Sequence, residues 1–252
     1  MKPLSELLTT TSNCVICDEK TTTFDRVEFS KNCEERRGTI IPPTGLLIDY
    51  HRCDNCGHVH APIFNKWTEQ DFSDHIYNQE YIIADPEYLT IRPSHNVREL
   101  DRIFGAVKSQ IKHLDYGGGD GFVSNALSQN GWSSVTYDPF GKTNRILPDT
   151  KFNFITAFEV FEHTPSPKTT MQNIVNLLDD TGILLFTTGL TDHEVNNHTK
   201  LSWWYISPRN GHVTIYSSKS LTLLAQQFGM NIHFNFHGMV VMYKNLPSWL
   251  TN

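Results

Sequence analysis

The chain has 252 residues and a formal net charge of −6, with a sequence pI near 6.0. Its basic residues are scattered, so it carries no electrostatic footprint for duplex nucleic acid, and no apolar run approaches the ~20 residues that span a bilayer. The start, Met1-Lys2-Pro3-Leu4-Ser5-Glu6, lacks the apolar core and small-residue cleavage site of a secretory leader, so the expected setting is cytoplasmic and soluble.

The five cysteines all fall in the first quarter: Cys14-x-x-Cys17, Cys33, and Cys53-x-x-Cys56. Two C-x-x-C pairs in a chain with no secretory signal suit a tetrahedral thiolate site for Zn²⁺, each pair turning two sulfurs toward one ion. Gly57 suits the tight turn of the second knuckle. Two redox dithiols are the rival reading, but the βαβ setting of a redox C-x-x-C is absent. His51, His58 and His60 are close enough in sequence to substitute as ligands, and Cys33 reads as a free thiol. Residues 1–65 are therefore expected to form a small zinc-binding module, with short strands such as Leu46 to Arg52 and a folding free energy supplied largely by metal. Residues 66–93, rich in aromatics (Phe72, Tyr77, Tyr81, Tyr88), read as a short helix and connector ending at Pro93.

From Ser94 the pattern is regular. Val97, Leu100, Ile103, Phe104, Val107 and Ile111 have helical spacing after a Ser94 or Asn96 cap. The strand Lys112 to Tyr116 then ends in Gly117-Gly118-Gly119-Asp120-Gly121, which opens a helix at Phe122. Backbone N–H groups can approach a ligand closely there, and the free helix N-terminus favours polar or anionic groups. A strand Ser134 to Tyr137 closes on Asp138-Pro139, and a short strand is expected near Arg145-Ile146-Leu147. Further strands are read at Phe152 to Phe158 and Ile183 to Thr187, flanking a helix from Ser166-Pro167 through Leu178 that stops at Gly182. Such alternation predicts an α/β fold with a parallel sheet covered on both faces. After a helix from about Ser217 to Gly229, Asn231 to Phe236 and Met239 to Tyr243 are joined only by His237-Gly238, which requires an antiparallel hairpin.

Residues 94–252 together resemble the class I S-adenosylmethionine-dependent methyltransferases. The resemblance is carried by Asp115-Tyr116-Gly117-Gly118-Gly119, matching D-x-G-x-G; by Asp138; by Glu159-Val160-Phe161-Glu162-His163, matching E-V-x-E-H; and by Trp204-Tyr205 with Pro208-Arg209-Asn210-Gly211-His212. It implies a Rossmann-like sheet with a terminal antiparallel hairpin. The paired-knuckle segment resembles the zinc-ribbon front end of some of these enzymes, including sugar C-methyltransferases. The implied cofactor is S-adenosyl-L-methionine, with structural Zn²⁺.

Asp138 is placed to accept the ribose hydroxyls, Asp115 to orient the turn or meet the ammonium, and Phe140 to cover the adenine. Tyr116, Gly117, Gly119, Pro139, Phe158 and Glu159 border the same crevice, and Asp149 is the acidic residue available near the adenine amino group, or equally a solvated turn residue. A dinucleotide-binding dehydrogenase also carries an acid after its second strand. Phe122, however, occupies the position of that fingerprint's third glycine.

His163 and His212 are candidate general bases, and Trp204, Tyr205 and Arg209 candidate acceptor contacts. Each can equally be packing within its loop. The leading expectation is methyl transfer to a small-molecule acceptor such as a sugar, polyketide or quinol-like compound. The alternatives are an RNA or protein methyltransferase that grips its substrate through the zinc module, and a zinc-stabilised binding module without catalysis.

Overall fold

The computed structural model describes residues 11–235 and 239–251. Its strands are β1 (Thr11–Asn13), β2 (Lys20–Glu28), β3 (Leu47–Arg52), β4 (Val59–His60), β5 (Lys112–Tyr116), β6 (Ser133–Tyr137), β7 (Phe152–Phe158), β8 (Leu178–Thr187), β9 (Thr214–Ile215), β10 (Asn231–Phe234) and β11 (Met239–Tyr243). Its α-helices are α1 (Glu69–His75), α2 (Tyr81–Ala84), α3 (Ile91–Phe104), α4 (Phe122–Gln129), α5 (Pro167–Leu177), α6 (Ser218–Gln227) and α7 (Ser248–Thr251). The chain divides into two compact units. Unit 1 comprises residues 1–86, 162–168 and 189–224; unit 2 comprises 87–161, 169–188 and 225–252.

Unit 1 is built on an antiparallel sheet in the order β1-β2-β3-β4-β9. Its core gathers Ile48, Tyr50, Phe64, Trp67, Phe72 and Ile76 with Tyr205, Ile206, Val213 and Ile215. The helix α1 starts on a capping box: Thr68 Oγ1 accepts from the Asp71 N–H, and the Asp71 carboxylate accepts from the Thr68 N–H. Those two bonds satisfy donors that a helix start otherwise leaves open.

Unit 2 contains a six-stranded sheet in the order β10-β11-β8-β7-β5-β6. β5 is parallel to both β6 and β7, and β7 is parallel to β8. The hairpin β10–β11 adds antiparallel to β8, as its short connection requires. Phe236, His237 and Gly238 of that connection lie outside the described residues. The core joins Leu100 and Phe104 of α3 and Val123 and Leu127 of α4 to Phe154, Ile183 and Leu185 of the sheet.

Three local expectations change. Helix α3 begins at Ile91, so Ser94 and Asn96 lie inside it and Thr90 precedes it without a side-chain cap bond. Pro93 is accommodated because its missing N–H falls in the first turn, where no intrahelical partner exists. The same helix ends at Phe104, a tighter turn over Gly105–Gln110 leading to Ile111. Arg145-Ile146-Leu147 forms no strand and is exposed, Ile146 at 88%. Finally, α5 stops at Leu177 and β8 already starts at Leu178, ahead of Gly182.

Candidate functional site

The glycine turn of unit 2 stands where β5 delivers the chain to α4. Gly117 has φ +77° and Gly119 φ +58°, in the left-handed region that a Cβ makes costly. The two differ in surroundings. A Cβ on Gly117 would overlap Val160 Cγ2, whereas one on Gly119 would meet nothing within 4 Å. Gly117 therefore serves packing against Val160, two residues past β7, and Gly119 opens its face to a ligand.

Asp138 follows β6 and is 9% exposed. Its Oδ2 accepts from the Gly119 N–H at 2.8 Å and its Oδ1 from the Phe140 N–H at 2.7 Å. Burial raises its pKa, and the N–H groups of Phe140 and Gly119 oppose that rise by stabilising the charge. A carboxylate offers about four lone-pair sites, so two remain for hydroxyl donors after both backbone bonds. A vicinal diol such as ribose fits that acceptor. Pro139 lies in the turn after Asp138, and the ring of Phe140 is 39% exposed.

Asp115 lies deeper. It is 3% exposed, its Oδ1 accepts from Thr156 Oγ1 at 2.9 Å, and its Oδ2 has no hydrogen-bond partner among the described residues. A Cβ on Gly118 would overlap that same Oδ2, which puts the carboxylate directly against the turn. Burial raises its pKa to about 7; Thr156 lowers it and the Asp138 charge raises it further. A buried, half-satisfied carboxylate invites a cationic partner, so the residues present fit a ligand bearing both a diol and an ammonium. Tyr116 is buried with its ring centroid 5.1 Å from that of Tyr137. Phe158 ends β7 half-buried, and Glu159 follows at φ +55°, a strained backbone for a side-chain-bearing residue. Thr187 Oγ1 reaches Glu159 Oε1 at 3.4 Å.

A chain of side chains under the turn had no signal in the sequence. His113 meets Ser134 Oγ with Nδ1 at 2.7 Å and Thr156 Oγ1 with Nε2 at 3.0 Å. The single Thr156 proton goes to Asp115, so Thr156 must accept from His113 Nε2–H, and Nδ1 then accepts from Ser134. The order Ser134, His113, Thr156, Asp115 crosses β6, β5 and β7. Only the parallel register, pairing His113 with Ser134 and Asp115 with Thr156, brings them together.

In unit 1 the four cysteines of the two C-x-x-C pairs converge. Cys14 Sγ is 3.6 Å from Cys56 Sγ, and Cys17 Sγ is 3.5 Å from Cys53 and 3.6 Å from Cys56. Zn–S bonds of ~2.3 Å in a tetrahedron imply sulfur separations of ~3.8 Å, so the cluster fits one zinc ion. All four thiols are free of disulfides. Sulfurs this close cannot all ionise unless a cation sits among them. Contact with Cys56 lowers the Cys14 pKa to about 5, while Cys56 is pushed up by Cys14 and burial raises Cys53 to about 11. The second knuckle is tied down by Ser217, whose Oγ donates to the Cys56 carbonyl. His51, His58 and His60 lie outside the thiolate cluster and contact one another, His58 stacked on His60 with centroids 5.7 Å apart and His51 edge-on to His60 at 5.9 Å. Cys33 is buried and in no disulfide, its N–H bonded to Asn210 Oδ1 at 2.9 Å.

The remaining candidates also belong to unit 1. His163 and His212 have ring centroids 4.9 Å apart in an edge-on arrangement. His212 Nδ1 donates to the Tyr205 carbonyl at 2.7 Å, and the phenol of Tyr205 donates to Glu162 Oε1 at 2.5 Å. Tyr205 is thus buried between Glu162 and His212. Trp204 is 37% exposed beneath the Arg36 guanidinium, 3.7 Å from the ring centroid. Arg209 is 5% exposed and donates to the Ile76 carbonyl at 2.8 Å and Asn78 Oδ1 at 3.0 Å. The Glu162–Tyr205 bond was invisible in the sequence because it links positions 43 residues apart.

A family model described as a methyltransferase domain matches residues 88–233. Among curated proteins, a ubiquinone biosynthesis O-methyltransferase of Glaesserella parasuis serovar 5 (strain SH0165) is 37% identical over 57 residues, 23% of this chain and 24% of that protein. The matched stretch is thus about a quarter of the curated relative. Human N-acetylserotonin methyltransferase in complex with its methyl donor aligns with TM-score 0.51 and 14% identity over 73% of this chain and 61% of that one. An O-methyltransferase from neocarzinostatin biosynthesis aligns with TM-score 0.42 and 13% identity over 65% and 60% of the two chains.

Proposed function

Because this chain belongs to the methyltransferase-domain family, among the class I S-adenosylmethionine-dependent methyltransferases, we propose that it moves the methyl group of S-adenosylmethionine to an oxygen of a small-molecule acceptor. The observation that carries the reading is the Asp138 carboxylate fixed by the N–H groups of Gly119 and Phe140 beside the open face of Gly119. The O-methyltransferase relative in ubiquinone biosynthesis supports oxygen as the acceptor atom and a quinol-like compound as the acceptor class.

Bound S-adenosylmethionine supplies a sulfonium-activated methyl group. The protein's part is to hold donor and acceptor in line and to remove the acceptor's proton. In this reading Asp138 takes the ribose hydroxyls, Asp115 faces the ammonium, and Phe140 covers the adenine. Removal of the acceptor's proton is assigned to the His163–His212 pair and the acceptor's surroundings to Trp204, whereas the buried Arg209, bonded to Ile76 and Asn78, braces the loop instead of meeting the acceptor. Holding Zn²⁺ falls to Cys14, Cys17, Cys53 and Cys56, as a structural ion.

Calorimetry with S-adenosylmethionine tests the cofactor half. Asp138→Ala removes two charge-assisted bonds of roughly 1.5–3 kcal/mol each, so affinity is expected to fall at least tenfold. Unchanged affinity would sink the ribose role. A screen of cell-extract fractions with labelled methyl donor then identifies the acceptor.

A further inference from the structure

The Glu162, His163 and His212 side chains form a second cluster of metal-ligating type, separate from the four cysteines. Each offers one ligand atom, and these atoms lie within 4.8 Å of one another. Backbone bonds hold the two contributing segments side by side: the Val213 N–H donates to the Glu162 carbonyl at 2.9 Å, and Thr214 Oγ1 to the Thr164 carbonyl at 2.8 Å. The His212 backbone is fixed as well, its carbonyl accepting from Tyr50 Oη at 2.7 Å and its N–H donating to the Ser207 carbonyl at 3.2 Å.

The ring orientation is equally determined. A carbonyl only accepts, so His212 carries its proton on Nδ1, bonded to Tyr205, and its lone pair on Nε2. Metal-bound imidazoles are oriented in this way, with the second nitrogen donating to a carbonyl. His163 Nδ1 is 3.2 Å from Tyr77 Oη; the tautomer that donates from Nδ1 to that phenol presents its Nε2 lone pair to an ion. Glu162 is fully buried and Tyr205 anchors its Oε1, so Oε2 is the oxygen able to turn to an ion. Gly211 makes room for the arrangement, since a Cβ there would press to 3.1 Å from His163 Nδ1. Metal–ligand bonds of ~2.1 Å need ligand separations of roughly 3–3.5 Å, which side chains this close reach by small torsional changes.

We propose that Glu162, His163 and His212 bind a divalent transition-metal cation through one carboxylate oxygen and two imidazole nitrogens, with coordination positions left open toward half-exposed His163. Two imidazoles and a carboxylate suit Zn²⁺, Fe²⁺, Co²⁺ or Ni²⁺ better than the hard, all-oxygen cations. Three protein ligands leave positions for water or a substrate oxygen, unlike the closed thiolate site. The ion's further role rests on the transferase reading: an acceptor hydroxyl bound at an open position loses its proton to solvent water more readily, because the cation stabilises the alkoxide or phenolate, and the metal-bound imidazoles then orient the ion instead of taking the proton themselves. That role favours acceptors with an ionisable or paired hydroxyl.

The test uses Co²⁺ as the probe on full-length protein freed of metal. Wild type is expected to take up about two equivalents, one giving intense thiolate-to-metal absorption and the other only weak visible bands, as sulfur and nitrogen–oxygen sites should. Glu162→Gln and His212→Gln are expected to take up about one equivalent with the thiolate absorption intact, which also reports that the cysteine cluster still folds. Should either variant lose the thiolate bands too, His163→Gln, at a half-exposed position, replaces it. Wild type that saturates with the thiolate site alone, or variants that keep the second equivalent, overturn the proposal. Calorimetry with S-adenosylmethionine on the same samples separates the two readings: cofactor binding without a second ion defeats this inference alone, and a second ion without cofactor binding defeats the transferase reading alone.

Discussion

Gly118 and Gly119 are neighbours of one residue type with opposite constraints. At Gly118 any side chain collides with the buried Asp115 carboxylate and approaches Thr136 Cγ2 to 3.0 Å. Gly118→Ala therefore displaces Asp115 or the turn, and both folding stability and S-adenosylmethionine affinity should fall. At Gly119 a methyl group meets open space, so Gly119→Ala costs only the left-handed backbone conformation, about 1–2 kcal/mol. It nonetheless projects into the face proposed to receive the cofactor. The expected result is a modest loss of melting temperature with a disproportionate loss of affinity, read by thermal unfolding and calorimetry on the same samples. Equal affinity in Gly119→Ala and wild type would show that the open face is not the binding face. The sequence displayed three consecutive glycines in this turn. It could not rank them, because the collision partners, Val160 and Asp115, are defined only once β5 and β7 are paired.

At the scale of elements, the hydrogen-bonded chain across β6, β5 and β7 sets two titrations against each other. Burial lowers the His113 pKa from its ordinary 6.5 to about 3. The unfolded chain therefore binds the extra proton first as pH falls, and this contribution to stability is present above pH 6.5 and lost between 6.5 and about 3. Asp115 runs the other way. Its folded pKa of about 7 exceeds its ordinary 3.8, so the folded protein holds the proton longer, and this contribution is lost as pH rises from about 4 to 7. The two slopes oppose each other between roughly pH 4 and 6.5, flattening the wild-type profile. Asp115→Asn should unmask a stability that climbs with pH in that window, and His113→Gln one that declines. Melting temperatures at several pH values decide it; parallel profiles for the two variants would defeat the account. Strand existence was legible here, with β7 read at its observed bounds, Phe152 to Phe158. The polar chain was not, because it depends on which residue stands opposite which, and local pattern carries no register between parallel strands.

For the molecule as a whole, short-range patterns revealed the cysteine pairs, the glycine turn, the alternating strands and helices of unit 2, and its antiparallel end. They could not reveal that the two-residue strand β9 pairs with β4, His60 opposite Thr214, across more than half the chain. Nor could they show that Tyr50 bonds the His212 carbonyl, 162 residues away. These links put residues 189–224 in the same compact unit as the cysteine cluster. The consequence concerns metal dependence. Of the sheet in unit 1, β4 and β9 are two residues long and β1 is three, so backbone bonding alone is meagre. A structural zinc contributes on the order of 10 kcal/mol to folding in small modules, enough to outweigh the marginal stability of such a sheet. The substitution Cys14→Ser, which removes one thiolate ligand and leaves the Glu162, His163 and His212 cluster intact, should therefore accelerate amide hydrogen exchange in β2, β3 and β4 and also in β9, which contains no cysteine ligand and is joined to the cluster through β4. Strands β5, β7 and β8 serve as the internal reference, since none carries a metal ligand. Exchange that speeds up only at the two knuckles, leaving β9 protected, would mean that the ion merely closes the loops and that the aromatic core around Tyr50 and Phe64 holds the unit together.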